Sequence, residues 1–416
     1  MFFSFWPRLN EFSRTKKDIT EDLIAGITVA IVALPLAIGF GITSGMSAAA
    51  GLTTAIIAGF LAALFGGSKY QVSGPTGAMT VILIPVIQKY GPTAIPALGV
   101  MAGAMVVLMA IFKLGAIINR VPWAVVEGFT VGIALVISLQ QIPLALGITK
   151  GEGDKSLPVA WHTIQNSINA GINTTSLLVV VLTLLVKFNF PRFAKKLPFH
   201  VPASFVSLLL VTIIVKTASI DVATIGTIPR SIGTYQAPTF GDFTNLLVPA
   251  LWIALLAAVE SLLSARVADG MAHQTEHFEP NRELFGQGIA TLAASVMGGM
   301  PATGAIARTS VNVRSQAKSR LASVFHALVL LLIALIAAPL VSYIPTAAIA
   351  GVLLGTSYRI LNPTSIVESL RTTKPEAATL VITAVSVLAI DLIWGMAIGI
   401  ALHLILDRIK VRTWKA

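Results

Sequence analysis

Residues 66–78 read GGSKYQVSGPTGA and residues 298–305 read GGMPATGA. Each stretch joins a glycine pair to a proline-containing run that ends in Thr-Gly-Ala. Each is followed by an apolar segment, 76–88 in one case and 304–313 in the other, too short to cross a hydrocarbon core of about 30 Å as a helix alone. Thr76 and Thr303 lie 227 residues apart in a chain of 416, so the repeat splits the sequence into two halves. Extended backbone in mid-membrane is tolerated only where protein or a water-filled cavity surrounds it, and a Thr or Ser at its end can cap the helix that follows.

Around these two stretches the chain is apolar almost throughout. Hydrophobic residues make up 55% and charged residues 11%, with a mean hydropathy of +0.85, whereas soluble domains carry about 25% charge. Full-length apolar runs fall near 23–42, 46–65, 93–112, 121–139, 176–190, 201–217, 245–265, 284–300, 321–341, 344–357, 376–391 and 392–408. Adding the two short segments gives an all-α polytopic membrane protein with fourteen crossings and both termini on one side. A membrane β-barrel would show alternating segments of about ten residues, and a disordered or nucleic-acid-binding chain would be far more polar. The formal charge of +11 therefore points to no nucleic-acid partner. With no cysteine, disulfides, thiol catalysis and thiolate metal sites are excluded. The mixed-charge N-terminus has no cleavage site of small residues and is not a removable signal peptide.

Charge tests the crossing count independently of hydropathy. With the N-terminus inside, 23 basic residues fall inside and five outside, namely Lys89, Lys150, Lys155, Lys216 and Arg230, and Arg308 lies within a short span. This positive-inside bias fits a multi-pass protein of the cell membrane with cytoplasmic termini. Dropping either short segment would reverse the sidedness of every loop after it. The longest outside loops, 142–175 and 218–244, have room for interfacial helices.

Seven crossings per half is an odd number, so the second half enters from the opposite side and the repeat is inverted. Two helix N-termini then face one another in mid-membrane. Each offers unpaired N–H groups and about half a positive charge, which suits an anion. Read singly, such a motif equally marks a kink or close helix packing; two at corresponding positions of an inverted repeat point to a transport site.

Two charges stand inside the spans. Glu260 sits in LWIALLAAVESLLSA, 251–265, at a depth where a carboxylate costs about 2.5–3.5 kcal/mol on insertion scales and so faces a cavity or a partner. Ser264 shares its helix face one turn on. Three roles fit Glu260: ligand of a coupling cation such as Na⁺, protonatable coupling group, or partner of Arg308. Arg308 lies one turn beyond Gly304 and brings a full positive charge below the expected anion. His273 and His277 form an H-x-x-E-H pattern found in some zinc peptidases. It sits in a short connection, so zinc hydrolysis is a weak alternative, no metal site is expected, and the chain reads as a transporter rather than an enzyme.

These residues resemble the sulfate permease (SulP) family of anion transporters along essentially the whole chain. The resemblance is carried by Pro35 in VALPLAIGFGITSG and by the blocks GLTTAIIAGFLAALFGGSKYQVSGPTGAMT (51–80) and VVEGFTVGIALVISLQQ (125–141). It is carried above all by ESLLSARVADG (260–270) and the following block at 281–322. It implies a core domain from segments 1–4 and 8–11 (23–112 and 245–343) and a gate domain from segments 5–7 and 12–14 (113–244 and 344–408). The ends, 1–22 and 409–416, are cytoplasmic, and nothing in the 416 residues corresponds to the family's C-terminal STAS domain. Homodimers and elevator-like movement of core against gate are implied too. By position, the substrate lies between Ser73, Gly74, Pro75 and Thr76 on one side and Thr303, Gly304, Ala305 and Ile306 on the other, with Arg308 at the family's short-helix arginine. Glu260 and Ser264 match the positions that hold Na⁺ in the sodium-dependent bicarbonate branch, which the chain most resembles. It departs from that branch in Glu for Asp at 260 and in Ile306, where a hydroxyl side chain is usual; Leu36 replaces an acid found in some members. The expectation is secondary-active transport of a small inorganic oxyanion, bicarbonate or sulfate, coupled to Na⁺ or H⁺, with no cofactor beyond Na⁺ as candidate coupling ion. The alternatives are a dicarboxylate or nucleobase carrier of the same architecture, or an anion channel.

Overall fold

The computed structural model describes residues 5–118, 121–153, 155–194, 202–227, 230–272, 277–361 and 363–413. The first half runs α1 (Lys16–Thr43), α2 (Ala48–Phe65), β1 (Ser73–Gly74), α3 (Gly77–Tyr90), α4 (Ile95–Ile111), α5 (Gly115–Ile118), α6 (Trp123–Gln140), α7 (Ile142–Leu146), α8 (Ser156–Ala170), α9 (Thr174–Ala194) and α10 (Ala203–Thr217). The second half runs α11 (Phe243–Ala272), α12 (Pro280–Val296), β2 (Thr303–Gly304), α13 (Ile306–Arg314), α14 (Leu321–Ile336), α15 (Ala338–Val341), α16 (Thr346–Leu361), α17 (Pro363–Leu370), α18 (Lys374–Ala389) and α19 (Leu392–Thr413). Among the described residues, six helices are long and apolar enough to cross a membrane by length and composition, α1, α2 and α11 among them. The fourteen expected crossings are compatible with α1–α4, α6, α9, α10, α11–α14, α16, α18 and α19, of which α3 (14 residues) and α13 (9 residues) are the short pair.

Helix ends follow local chemistry. Thr15 accepts the Asp18 N–H at 3.2 Å and starts α1 seven residues before its apolar run. Ser47 caps α2 by accepting the Ala50 N–H at 3.1 Å. The expected span 321–341 breaks at Ala337, because Pro339 lacks an N–H and restricts the residue before it. α11 outruns its apolar stretch and carries Arg266 and Asp269 on its last turns. The loop 142–175 holds α7 and the amphipathic α8.

Two groups of helices pack around the short pair. In one, α12 lies against α4 and α2, α14 against α1 and α2, and α11 against α4. Its contacts are rich in small side chains, such as Ala58, Ala62, Ala290 and Ala294, which let helices approach closely where lipid supplies no hydrophobic drive. In the other, α6 packs on α18, α16 and α19, and α9 packs on α16 and α10. The groups meet through α1 with α16 and α10, and through α3 with α6.

Two arginines counted as loop charges are buried instead: Arg282 is 1% and Arg320 3% exposed. Both face Glu11 in the short turn Leu9–Glu11. Burial pushes the Glu11 carboxyl up, but the hydrogen bond from Arg282 and the charges of Arg320 and Arg282 outweigh it and hold it below the usual carboxylate range. Phe5 stacks on Phe285 at 4.6 Å, so the segment before α1 is fastened to the start of α12.

Candidate functional site

β1 and β2 pair antiparallel, with Ser73 opposite Gly304 and Gly74 opposite Thr303, and the Ala305 N–H extends the pairing to the Val72 carbonyl at 3.0 Å. Each strand runs directly into its short helix. The N-termini of α3 and α13 therefore meet at the pair and the helices leave in opposite directions. Thr76 is the cap of α3: its hydroxyl accepts the Met79 N–H at 3.4 Å and donates to Glu260 Oε2 at 3.2 Å. A hydroxyl cap on the second helix, expected from the motif, is absent. The cap position is Ala305, which has no side-chain acceptor, while the Thr303 hydroxyl lies 3.1 Å from Ser261 Oγ in α11. Among the described residues, no side chain caps the first turn of α13.

A cavity of about 470 Å³ opens onto both helix starts, touching Thr76, Gly77 and Ala78 on one and Ala305, Ile306 and Arg308 on the other. Glu260 and Leu263 of α11 line it, as do the apolar side chains of Phe40, Phe129, Ile133 and Ile137. Toward the rim stand Ser204, Ser310 and Thr356 with two more cations, Arg314 and Arg359. Arg308 is 1% exposed. It donates to the Ser73 carbonyl at 3.5 Å and to the Pro75 carbonyl, and its buried Nε has no hydrogen-bond partner among the described residues. Glu260 lines the same cavity but makes its hydrogen bond with Thr76, not with Arg308. The result is a pocket with two helix N-termini, three guanidinium groups and one carboxylate, walled by apolar side chains; its electrostatics suit a small anion.

Of the residues singled out from the sequence, Thr76, Ala305, Ile306, Arg308 and Glu260 line this cavity. Ser73, Gly74, Pro75, Thr303 and Gly304 are buried behind it. Ser73 donates to Gln287 Oε1 at 2.7 Å, the Gly304 N–H donates to Ser261 Oγ at 3.0 Å, and a Cβ on Gly74 would lie 2.1 Å from Arg308 Nη1. Ser264 also stands behind the lining and donates to Thr309 Oγ1 at 3.0 Å. Sequence reasoning missed the side chains that brace the pair, Gln71, Ser261, Gln287 and Thr309, because each acts on residues about 40 to 240 positions away. Charge sorting places Lys187, Arg314 and Arg359 on the inner side and gives them no role. Arg314 and Arg359 line the cavity rim, and Lys187 is fully buried, donating to Val352 O at 2.5 Å and Thr356 Oγ1 at 2.7 Å. Of the H-x-x-E-H pattern, residues 273–276 lie outside the described residues.

The brace makes a sharp prediction at Gly304. A Cβ there would sit 1.8 Å from the Gln71 Nε2 that donates to Ser261 O at 3.0 Å. Gly304→Ala is expected to destabilise the protein by about 1–3 kcal/mol, the usual range for overpacking, seen as a lower thermal unfolding midpoint in detergent. An unchanged midpoint would show that Gln71 does not pack there.

Residues 19–383 match the sulfate permease family. The chain is 40% identical over 389 residues to the putative sulfate transporter YvdB of Bacillus subtilis, across 92% of this chain and 72% of that protein. It is 32% identical over 348 residues to the bicarbonate transporter BicA of a Picosynechococcus species, across 81% of this chain and 61% of that protein. The chain thus spans only part of the length of these relatives. In structure it is similar to the transmembrane domain of a cyanobacterium bicarbonate transporter BicA, with a TM-score of 0.79 and 28% identity over 94% of this chain and 98% of that one. It shares its fold with murine solute carrier 26 family member A9, with a TM-score of 0.86 at 17% identity over 98% of this chain and 72% of that one. With a family match over most of its length, the chain belongs to the sulfate permease family.

Proposed function

We propose that this protein is a secondary-active transporter of a small inorganic oxyanion, sulfate or bicarbonate, which binds in the cavity between the starts of α3 and α13. The observation that carries this is that the starts of both short helices and the Arg308 side chain line one cavity. Backbone N–H groups recognise charge and size together, and the planar guanidinium supplies directed donors. The names of the relatives in Bacillus and Picosynechococcus support the substrate class.

Glu260 would couple the anion to a cation, Na⁺ or H⁺, because its carboxylate shares the cavity with the anion and is tied through Thr76 to the cap of α3. The helices around α12 would form the moving core (23–112 and 245–343), and those around α6 and α16 the gate (113–244 and 344–408). The chain would work as a homodimer in the cell membrane, with both termini cytoplasmic. Arg314 and Arg359 at the rim then face the cytoplasm and draw anions toward the site. Uptake of labelled sulfate and bicarbonate into proteoliposomes under imposed Na⁺ and H⁺ gradients tests the proposal. Saturable, uphill accumulation of one oxyanion driven by one gradient is expected. Flux that neither saturates nor runs uphill would contradict it.

A further inference from the structure

A second groove, of about 450 Å³, is lined by α3 and α11, by α6 and α18, and by the starts of α8 and α19. Its walls are apolar, with Ile84 and Pro85 from α3, Val136 and Leu139 from α6, Trp252 from α11 and Leu388 from α18. Lys89, Lys150 and Lys155, all exposed, also line it. They are three of the five basic residues that charge sorting puts on the side away from the termini. Among the described residues that line the groove, Asp391 is the only carboxylate. The Lys89 ammonium stands 5.0 Å from the Tyr90 ring centroid, an aromatic contact that steadies a cation. Trp252 contacts Trp394 at 6.5 Å, and Trp394 and the lining residue Ile390 are 55% and 42% exposed. Tryptophans of this kind mark headgroup depth.

We propose that this groove binds one anionic phospholipid, its phosphate among Lys89, Lys150 and Lys155 and an acyl chain along the apolar wall. Charge complementarity decides between lipids. An acyl chain fills the wall equally well whatever its headgroup, since lipid tails are as apolar as the side chains they touch, so preference comes from the lysines. Each is expected to contribute about tenfold or less toward an anionic headgroup, by the strength of basic residues at anionic lipid surfaces. Because the groove is bounded by both groups of helices, the bound lipid would bridge them. The inference stands apart from the anion site, since none of the three lysines lines that cavity.

The test is native mass spectrometry of the full chain in detergent with equal amounts of phosphatidylglycerol and phosphatidylcholine. The K89Q/K150Q/K155Q variant and competition by sn-glycerol 3-phosphate provide the comparisons. Wild type is expected to retain one phosphatidylglycerol with at least fivefold preference, glycerol phosphate at equal concentration should not displace it, and the variant should lose the preference with its thermal midpoint unchanged. Equal retention of both lipids, or an undiminished preference in the variant, would overturn the proposal. Displacement by glycerol phosphate would also overturn it, identifying a site for free phosphate esters.

Discussion

Replacing Arg308 by alanine is expected to weaken oxyanion binding by about one to two orders of magnitude, the range of a lost charge-assisted hydrogen bond worth roughly 1.5–3 kcal/mol. The side chain has two jobs. Its Nη atoms tie the Ser73 and Pro75 carbonyls of the first extended segment to α13, and its charge lines the cavity. Alanine removes the charge, frees two carbonyls and opens the space beside Gly74. Arg308→Lys should recover only part of the affinity, because a point ammonium cannot hold both carbonyls and still present a planar donor. Binding of a labelled oxyanion to purified variants whose elution profile matches wild type makes the comparison. Unchanged affinity in Arg308→Ala would remove the arginine from the site.

Replacing Glu260 by glutamine is expected to abolish uphill accumulation while leaving downhill anion exchange in place. The amide keeps the shape, and its oxygen can still accept from Thr76, as the carboxylate does at 3.2 Å; what disappears is the charge. If the coupling ion is Na⁺, the variant's uptake should no longer depend on sodium. If it is H⁺, the response to an imposed pH gradient should vanish. Gradient-driven accumulation in proteoliposomes reads both outcomes, and a variant that keeps its original ion dependence would exclude Glu260 from coupling.

Much of the architecture is legible in the sequence because membrane constraints are severe. A Gly-Pro-Thr-Gly-Ala run cannot sit in lipid as an ordinary helix, so the paired motifs mark the two short helices that the structure shows leaving one β-pair. Glu260 and Arg308 stand out because an ionised group within an apolar run is costly, and both line the cavity. The rest is set by tertiary contacts that no spacing reports. Gln71 reaches Ser261 across 190 positions, Ser264 turns to Thr309, and Ser73 is used up on Gln287. These polar residues look interchangeable in sequence, yet packing brings some to the cavity and places others behind it. Arg314 and Arg359 were hidden for the opposite reason: a cation near a span end reads as a loop charge, whereas both line the cavity rim.

The protein contains no cysteine, so a single introduced thiol reports on one place alone. The most direct test of the anion site is the rate at which a charged thiol reagent modifies Ile306→Cys and Ala307→Cys, at the start of α13, with and without saturating transported oxyanion. An anion held between the two helix starts must slow modification at both positions several-fold, while a control thiol at the exposed Tyr235 (66% accessible) reacts at the same rate throughout. Equal rates with and without the oxyanion at 306 and 307 would contradict an anion site there.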